Sequence, residues 1–178
     1  LLPGGPTEIA AWNGASWTSM SPSGSTGTGT CTSLLADFGG GLYAGGVFPN
    51  GPTLRYVLQR SGGTWSALGA GIDGPVLAMA AVPGSLVIGG SFTTAGGVPA
   101  AGIARWDGSA WSAVSSSALG GNAPNASPVT CLTAARTGEI VAGGYLTTAG
   151  GGASAYLARA RTTCPALAVP YGTGCQPT

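Results

Sequence analysis

Acidic side chains are the first candidates for chemistry in this chain, because it contains no histidine to act as a general base or as a transition-metal ligand. The acids are Glu8, Asp37, Asp73, Asp107 and Glu139. Their scattered positions do not suggest the paired carboxylates of glycoside hydrolysis. Asp73 with loop carbonyls is an alternative calcium site, but a solvated turn acid is the preferred interpretation. We therefore predict no catalytic site, no metal site and no cofactor.

The other groups that carry chemistry lack the partners they need. Serines are numerous, but no base accompanies them and no GxSxG motif leads into a helix. The glycine-rich stretch "AGGVPA" lacks the lysine and the following helix of a phosphate-binding loop. Scattered arginines without any lysine make no basic patch, and no apolar run approaches the ~20 residues of a membrane helix. The sequence predicts no nucleic-acid partner and no membrane span.

The four cysteines are the remaining reactive side chains. They are Cys31, Cys131, Cys164 and Cys175, and no two of them form a C-x-x-C pair. A zinc site would need all four thiols at irregular spacing. We expect disulfides, and therefore an oxidising compartment, with free buried thiols as the alternative. The spacing does not choose among the possible pairings.

The composition predicts a folded domain with a nearly neutral surface. Of the 178 residues, 44% are hydrophobic and 6% are charged, and the formal net charge is +1. A soluble domain usually carries about 25% charged residues. Such a surface gives little electrostatic repulsion between copies, which permits self-association. The opening "LLPGG" has no Met and no basic region, so we expect a processed or excised piece of a longer precursor.

A repeated unit must position these side chains. Apolar residues lead into Gly-Gly and a large side chain in "GLYAGGVF" (41–48), "SLVIGGSF" (85–92) and "EIVAGGYL" (139–146). The second glycines of these segments are Gly46, Gly90 and Gly144. Each segment follows another apolar run and precedes a Gly-rich loop, a third strand and a fourth strand. Four short antiparallel strands per unit are the signature of a propeller blade.

Tryptophan marks the fourth strand of the units. These tryptophans are Trp17, Trp65 and Trp111. The texts "WNGASW" (12–17) and "WDGSAW" (106–111) place Asn-Gly or Asp-Gly between the third and fourth strands, as in hairpin turns. Because Trp recurs wherever the unit recurs, we predict a structural role, in which broad rings cover the contact between blades. The alternative is an aromatic platform for a ligand, with Trp12 and Trp106 as its stacking residues.

The strand count predicts an all-β chain, a β-propeller-like array of about three and a half four-stranded antiparallel blades. Residues 1–169 form the array: a half-blade at 1–20, blades at 31–68, 75–115 and 129–169, followed by a C-terminal tail at 170–178. A closed propeller has about 4 to 8 blades, and an unpaired half-sheet exposes its edge. Three solutions are open. A neighbouring copy supplies strands, the chain is part of a larger propeller, or it closes as an irregular four-bladed propeller.

The segment "LVIGGSFTTAGGVPAAGIARWDGSAWSAV" resembles the repeats of secreted bacterial β-propellers, related to Kelch and galactose-oxidase propellers. The resemblance extends over nearly the whole chain to about residue 169. It implies the repeat type and secretion rather than an activity, since propellers host many functions. The copper chemistry of galactose oxidase is not implied, because its histidine ligands are missing here.

The repeat also places the cysteines. Cys31 and Cys131 are expected at matching positions of the first strands, which line the axis of a small propeller and could bring the two thiols together. Cys164 replaces the tryptophan of the last unit, and a Cys164–Cys175 bond would hold the tail against the last blade. The other pairings, including bonds between subunits, stay open.

Together these features favour a secreted, non-enzymatic structural protein of the extracellular space or cell surface. We expect copies to complete each other's blades and so to assemble into a filament or a ring. The alternative is a carbohydrate-binding or adhesive propeller, in which Trp12 and Trp106 stack on glycans.

Overall fold

The computed structural model of the chain contains β-strands as its regular elements. The residues that it describes are 9–20, 30–50, 53–114, 128–136, 139–146, 148–149, 152–153 and 157–161. The prediction of an all-β chain with antiparallel sheets is confirmed. The strands form an N-terminal hairpin, three larger sheets and two short hairpins inserted between strands of those sheets.

The N-terminal hairpin consists of β1 (Ala10–Trp12) and β2 (Trp17–Ser19), with Trp12 opposite Trp17. Its turn is closed by the Asn13 side chain, whose Oδ1 accepts the backbone N–H groups of residues 15 and 16. Gly14 follows with φ of 100°, a conformation that favours glycine. The Asn-Gly pair therefore forms the tight connection that such a pair is expected to form.

Sheet I is a meander of four consecutive strands in spatial order. Its strands are β3 (Thr30–Phe38), β4 (Gly41–Asn50), β5 (Thr53–Ser61) and β6 (Thr64–Ala67). Two-residue Gly-Gly turns at positions 39–40 and 62–63, all with positive φ, connect β3 to β4 and β5 to β6. These turns match the twist of the flanking strands and set their register.

Sheet II has the same order of four strands. They are β7 (Val76–Val82), β8 (Ser85–Gly90), β11 (Ile103–Trp106) and β12 (Trp111–Ala113), and the short hairpin between β8 and β11 consists of β9 (Thr94–Ala95) and β10 (Val98–Pro99). Every residue of β8 is buried, as expected of a strand that is covered on both faces.

Sheet III contains three described strands in the order β13, β14, β17. They are β13 (Val129–Arg136), β14 (Glu139–Gly144) and β17 (Leu157–Arg161), and the short hairpin between the last two consists of β15 (Thr148–Ala149) and β16 (Gly152–Ala153). The fourth strand predicted near residue 164 lies outside the described residues.

The sheets pack face to face in chain order. Strand β7 lies against β3 and β4 on one side and against β13 on the other. We call the face that a sheet or hairpin turns toward the next sheet its forward face, and the opposite face its rear face. One core cluster lies in each contact: hairpin to sheet I, sheet I to sheet II, and sheet II to sheet III.

In two of the Gly-Gly pairs, the absence of a side chain on the first glycine leaves space for a valine of the next sheet. A Cβ on Gly45 would lie 2.6 Å from Cγ1 of Val76, and a Cβ on Gly89 would lie 2.5 Å from Cγ1 of Val129. These distances are shorter than van der Waals contact, so only glycine lets the valine of the following sheet approach this closely. The repeated Gly therefore sets the distance between successive sheets.

The second glycine of each pair opposes the beginning of the neighbouring strand. These residues are Gly46, Gly90 and Gly144. A Cβ at any of them would collide with a backbone carbonyl oxygen of that strand or of the residue before it. Each also lies next to a break in the ladder register. The glycine at this position thus accommodates a β-bulge.

The expectation that Cys31 and Cys131 occupy matching positions is wrong. Cys31 pairs with Gly46, the second glycine of its pair, whereas Cys131 pairs with Gly143, the first glycine. In sheet III the residue opposite the second glycine is Val129. Cys131 is therefore displaced along its strand and points to the forward face, while Cys31 packs against the core on the rear face of sheet I.

Candidate functional site

Asp73 connects two parts of the chain. Its Oδ1 accepts the backbone N–H groups of Thr93 and Thr94 at 2.8 and 2.9 Å, and its Oδ2 accepts the hydroxyl of Thr93 at 2.5 Å. Partial burial raises the pKa of Asp73, but the hydrogen bonds from Thr93 and Thr94 outweigh it, so the pKa is lowered overall. The carboxylate ties the connection between sheets I and II to the loop after β8, which is a structural role.

Asp107 closes the turn of "WDGSAW". Its Oδ1 accepts the backbone N–H groups of Ala110 and Ser109, each at 2.8 Å, and the hydroxyl of Ser109. These hydrogen bonds, that from Ala110 first, lower the pKa of Asp107 to about 2. The carboxylate replaces, in the same geometry, the amide oxygen of Asn13 in the N-terminal hairpin.

The remaining acids do not complete a reactive site. Glu139 is buried and its Oε2 lies 3.6 Å from Nη2 of Arg159 across the strands of sheet III. Glu8 lies outside the described residues, and the side chain of Asp37 is not described. In the described ranges, no cluster of three or more His, Cys, Asp or Glu side chains is arranged to hold a metal ion.

Both cysteines that the structure describes are free thiols. Cys31 is half-buried, and this burial raises the pKa of its thiol despite a weak hydrogen bond to Ser33 O. Cys131 is exposed. Because Cys164 and Cys175 lie outside the described residues, the disulfide pairing stays a prediction.

The repeat tryptophans of sheets I and II join each of these sheets to the element before it. The indole Nε1 of Trp111 donates to Leu68 O at 3.2 Å, and that of Trp65 donates to Met20 O at 2.5 Å. Leu68 and Met20 each directly follow the last strand of the preceding element. The same bond is thus made at two successive contacts.

Trp17 is the third member of this series, and it is 57% exposed. Its neighbour Trp12, 53% exposed, lies with its ring centroid 5.4 Å away. The equivalent pair of sheet II, Trp106 and Trp111, has the same geometry at 5.1 Å, but each ring is 7% exposed. The stacking role expected of Trp106 therefore does not fit its burial, whereas Trp12 offers an accessible ring.

One position of the repeat, on the forward face, is exposed in sheet III and buried in the other elements. Val57, Ile103 and Leu157 pair with the first glycine of their respective Gly-Gly pairs. Ile9 precedes Trp12 by three residues, as Ile103 precedes the tryptophan of its own hairpin. Ile9, Val57 and Ile103 are 4%, 2% and 3% exposed, but Leu157 is 62% exposed.

The candidate site is therefore a pair of surfaces at the two ends of the stack. The forward face of sheet III carries Leu157, half-buried Val141 and exposed Cys131. The rear face of the N-terminal hairpin carries Trp12 and Trp17. The sequence singled out Trp12 of the hairpin but not Leu157, because the repeat unit itself does not show whether anything packs on that residue.

Comparisons with protein-family models, with curated proteins and with solved structures find no match for this chain. In the described part of the chain, no helical segment has the length and hydropathy that a membrane crossing requires.

Proposed function

We propose that this chain is a non-enzymatic structural protein built of propeller-type blades, and that it acts by associating with copies of itself. In this proposal sheets I, II and III are blades and the N-terminal hairpin is the outer half of a further blade. Two observations support this assignment: sheets I and II share one strand order, and a valine of the next sheet packs closely on the first glycine of each of their Gly-Gly pairs. The resemblance of the repeats to secreted bacterial propellers points the same way.

The observation that carries the proposal is the exposure of Leu157. At the three equivalent positions, the next sheet in the chain covers the side chain almost completely. Sheet III has the strand pairing of the other sheets, and the forward face on which Leu157 lies is the one that they bury. In this proposal Leu157 and half-buried Val141 on the same face form part of an apolar surface that another protein covers.

The composition supports association over repulsion. Only 6% of the residues are charged, and the net charge is +1. Copies that approach one another therefore meet little electrostatic resistance. The even number of cysteines favours an oxidising, extracellular location, where an assembled filament or ring would serve as a surface component.

Negative-stain electron microscopy of the full chain, with light scattering over a concentration series, tests this function. We expect regular rings or fibres that grow with concentration. If reductant dissolves the assemblies, disulfide bonds between copies contribute to the contact. If the assemblies persist in reductant, non-covalent packing is sufficient to hold the copies together. Particles that stay monomeric at high concentration would overturn the proposal.

A second function is favoured by the exposed Trp12–Trp17 pair. Two adjacent accessible indoles provide an apolar surface on which a sugar ring stacks. In a glycan-binding protein, Trp12→Ala would abolish binding on a glycan array, while Val98→Ala, a change at another exposed apolar residue, would preserve it. Unchanged glycan binding by Trp12→Ala, or no binding by the unaltered chain, would exclude this function.

A further inference from the structure

We infer that copies of this chain join head to tail, with the forward face of sheet III of one copy against the rear face of the N-terminal hairpin of the next. The contact repeats, between copies, the one that successive sheets make within the chain. This inference rests on the proposed self-association and specifies which two surfaces carry it.

The rear face of the hairpin has a buried counterpart in sheet II. Trp12 and Trp17 correspond to Trp106 and Trp111, because in each hairpin the two tryptophans are directly opposite each other next to the Asx-Gly turn. Ala10 corresponds in the same way to Ala104, which is fully buried. In sheet II these residues belong to the cluster between sheets I and II. The hairpin thus presents one half of that cluster to the outside.

The forward face of sheet III presents the other half. In sheet I, Tyr43 and Val57 contribute to the cluster that holds the Trp pair of sheet II. Their register equivalents in sheet III are Val141 and Leu157. Val57 and Leu157 each pair with the first glycine, and Tyr43 and Val141 each precede that glycine by two residues. Docking of two copies therefore brings together apolar partners that already pack together elsewhere in the molecule.

The indole bonds give the docked arrangement its direction. Trp65 and Trp111 each donate Nε1–H to a carbonyl at the outer end of the preceding element. Trp17 is oriented like them by the register of its hairpin, and in the docked arrangement sheet III of another copy takes the place of the preceding element. An indole buried in the contact needs such an acceptor, since burying an unsatisfied N–H is unfavourable.

The two surfaces differ from each other, so the contact is heterologous. Each copy offers one forward and one rear surface, and both are exposed in the single chain. A heterologous contact propagates into a filament, or closes into a ring when the rotation between copies permits. A face-to-face dimer through two copies of the same surface would contradict this arrangement.

Two substitutions each block one surface and leave the other intact. Leu157→Arg places a charge on the forward face, and Trp17→Arg places one on the rear face. Both side chains are exposed in the single chain, so we expect both variants to fold, which near-ultraviolet circular dichroism checks. Val98→Arg is the matched control, because it changes an exposed apolar residue of the short β9–β10 hairpin, away from both surfaces.

Native mass spectrometry of the separate and mixed variants tests the inference. We expect each blocked variant alone to remain monomeric, with association weakened by about tenfold or more. An equimolar mixture should give a one-to-one heterodimer and nothing longer, since only one matched pair of surfaces remains. Val98→Arg should assemble like the unaltered chain.

The possible outcomes distinguish a failure of this inference from a failure of the proposed function. If the unaltered chain assembles and either blocked variant assembles equally well, the assignment of surfaces is wrong while self-association stands. If both variants are blocked but their mixture yields no heterodimer, the contact is not head to tail. If the unaltered chain is monomeric throughout, the proposed function itself is wrong.

Discussion

Two hairpins of this chain have nearly the same sequence and the same backbone, yet their tryptophans differ in environment. "WNGASW" and "WDGSAW" both place Trp opposite Trp across an Asx-Gly turn. In the first the rings are exposed, and in the second they are buried. The local sequence therefore determines the hairpin, and the preceding sheet determines whether its rings reach solvent.

Two glycines form part of the cover over the second hairpin, beside the apolar side chains of the cluster between sheets I and II. A Cβ on Gly69 would lie 2.8 Å from the Trp106 ring, and one on Gly96 would lie 2.6 Å from the Trp111 ring. Gly69 follows the end of sheet I, and Gly96 lies in the short hairpin of sheet II. The N-terminal hairpin follows no described sheet, and its rings remain accessible.

Removing one ring from each hairpin should have the largest and most unequal effect. We expect Trp111→Ala to lower the free energy of unfolding by about 3 to 5 kcal/mol, since it empties a packed core position. Trp17→Ala should cost about 1 kcal/mol or less in the monomer, chiefly the loss of one aromatic pair. Urea unfolding at low protein concentration measures both. Equal losses would contradict the proposed difference in burial.

Glycine substitutions test the cover itself. Gly69 and Gly62 have nearly the same positive φ, 57° and 56°, so alanine is strained to a similar extent at each. Of the two, only Gly69 would bring the added methyl against a tryptophan ring. We expect Gly69→Ala to cost about 1 to 2 kcal/mol more than Gly62→Ala, because overpacking adds to the shared strain. Urea unfolding measures both losses of stability. An equal or smaller loss for Gly69→Ala would show that the tryptophan rings move aside at little cost.

The smallest expected effect is on the titration of the carboxyl group in the Asx-Gly turns. The carboxylate of Asp107 accepts backbone N–H bonds that lower its pKa to about 2. A lowered folded-state pKa gives stability that is present above the ordinary value of about 3.8 and is lost as the pH falls toward 2. Carboxyl NMR should place the Asp107 midpoint near 2 and should find a similarly lowered midpoint in Asn13→Asp.

Asp107→Asn is the control for that titration. It keeps the oxygen that accepts the turn bonds, as Asn13 does in the other hairpin, but it removes the ionisable group. The acid-dependent loss of stability should therefore shrink in this variant. An ordinary midpoint for Asp107, near 3.8, would mean that the turn bonds do not hold in solution.

The strands were predictable because their signals are local. Gly-Gly pairs and Asx-Gly turns fall where the structure has bulges and hairpins, since few other residues adopt those backbones. The position of Cys131 was not predictable, because β13 begins at Val129 and the break in register between Val129 and Cys131 displaces the thiol along the strand. The short hairpins β9–β10 and β15–β16 were expected only as loops, since glycine-rich text carries little strand signal.

The burial of Trp106 could not be inferred from its own segment. Its neighbours along the chain match those of Trp12, and the difference arises from residues outside the hairpin, such as Gly69 beside the Trp106 ring and Gly96 beside the Trp111 ring. The exposure of Leu157 has the same origin, since it depends on what packs on the forward face of sheet III. Both are tertiary properties that a repeat unit taken alone does not contain.

Sedimentation velocity of the unaltered chain beside Leu157→Arg, over one concentration series, tests the central claim most directly. The unaltered chain should sediment faster as its concentration rises, while Leu157→Arg should remain at the monomer coefficient throughout. Concentration-independent monomers in both samples, or equal association in both, would contradict the claim that the forward face of sheet III joins one copy to the next.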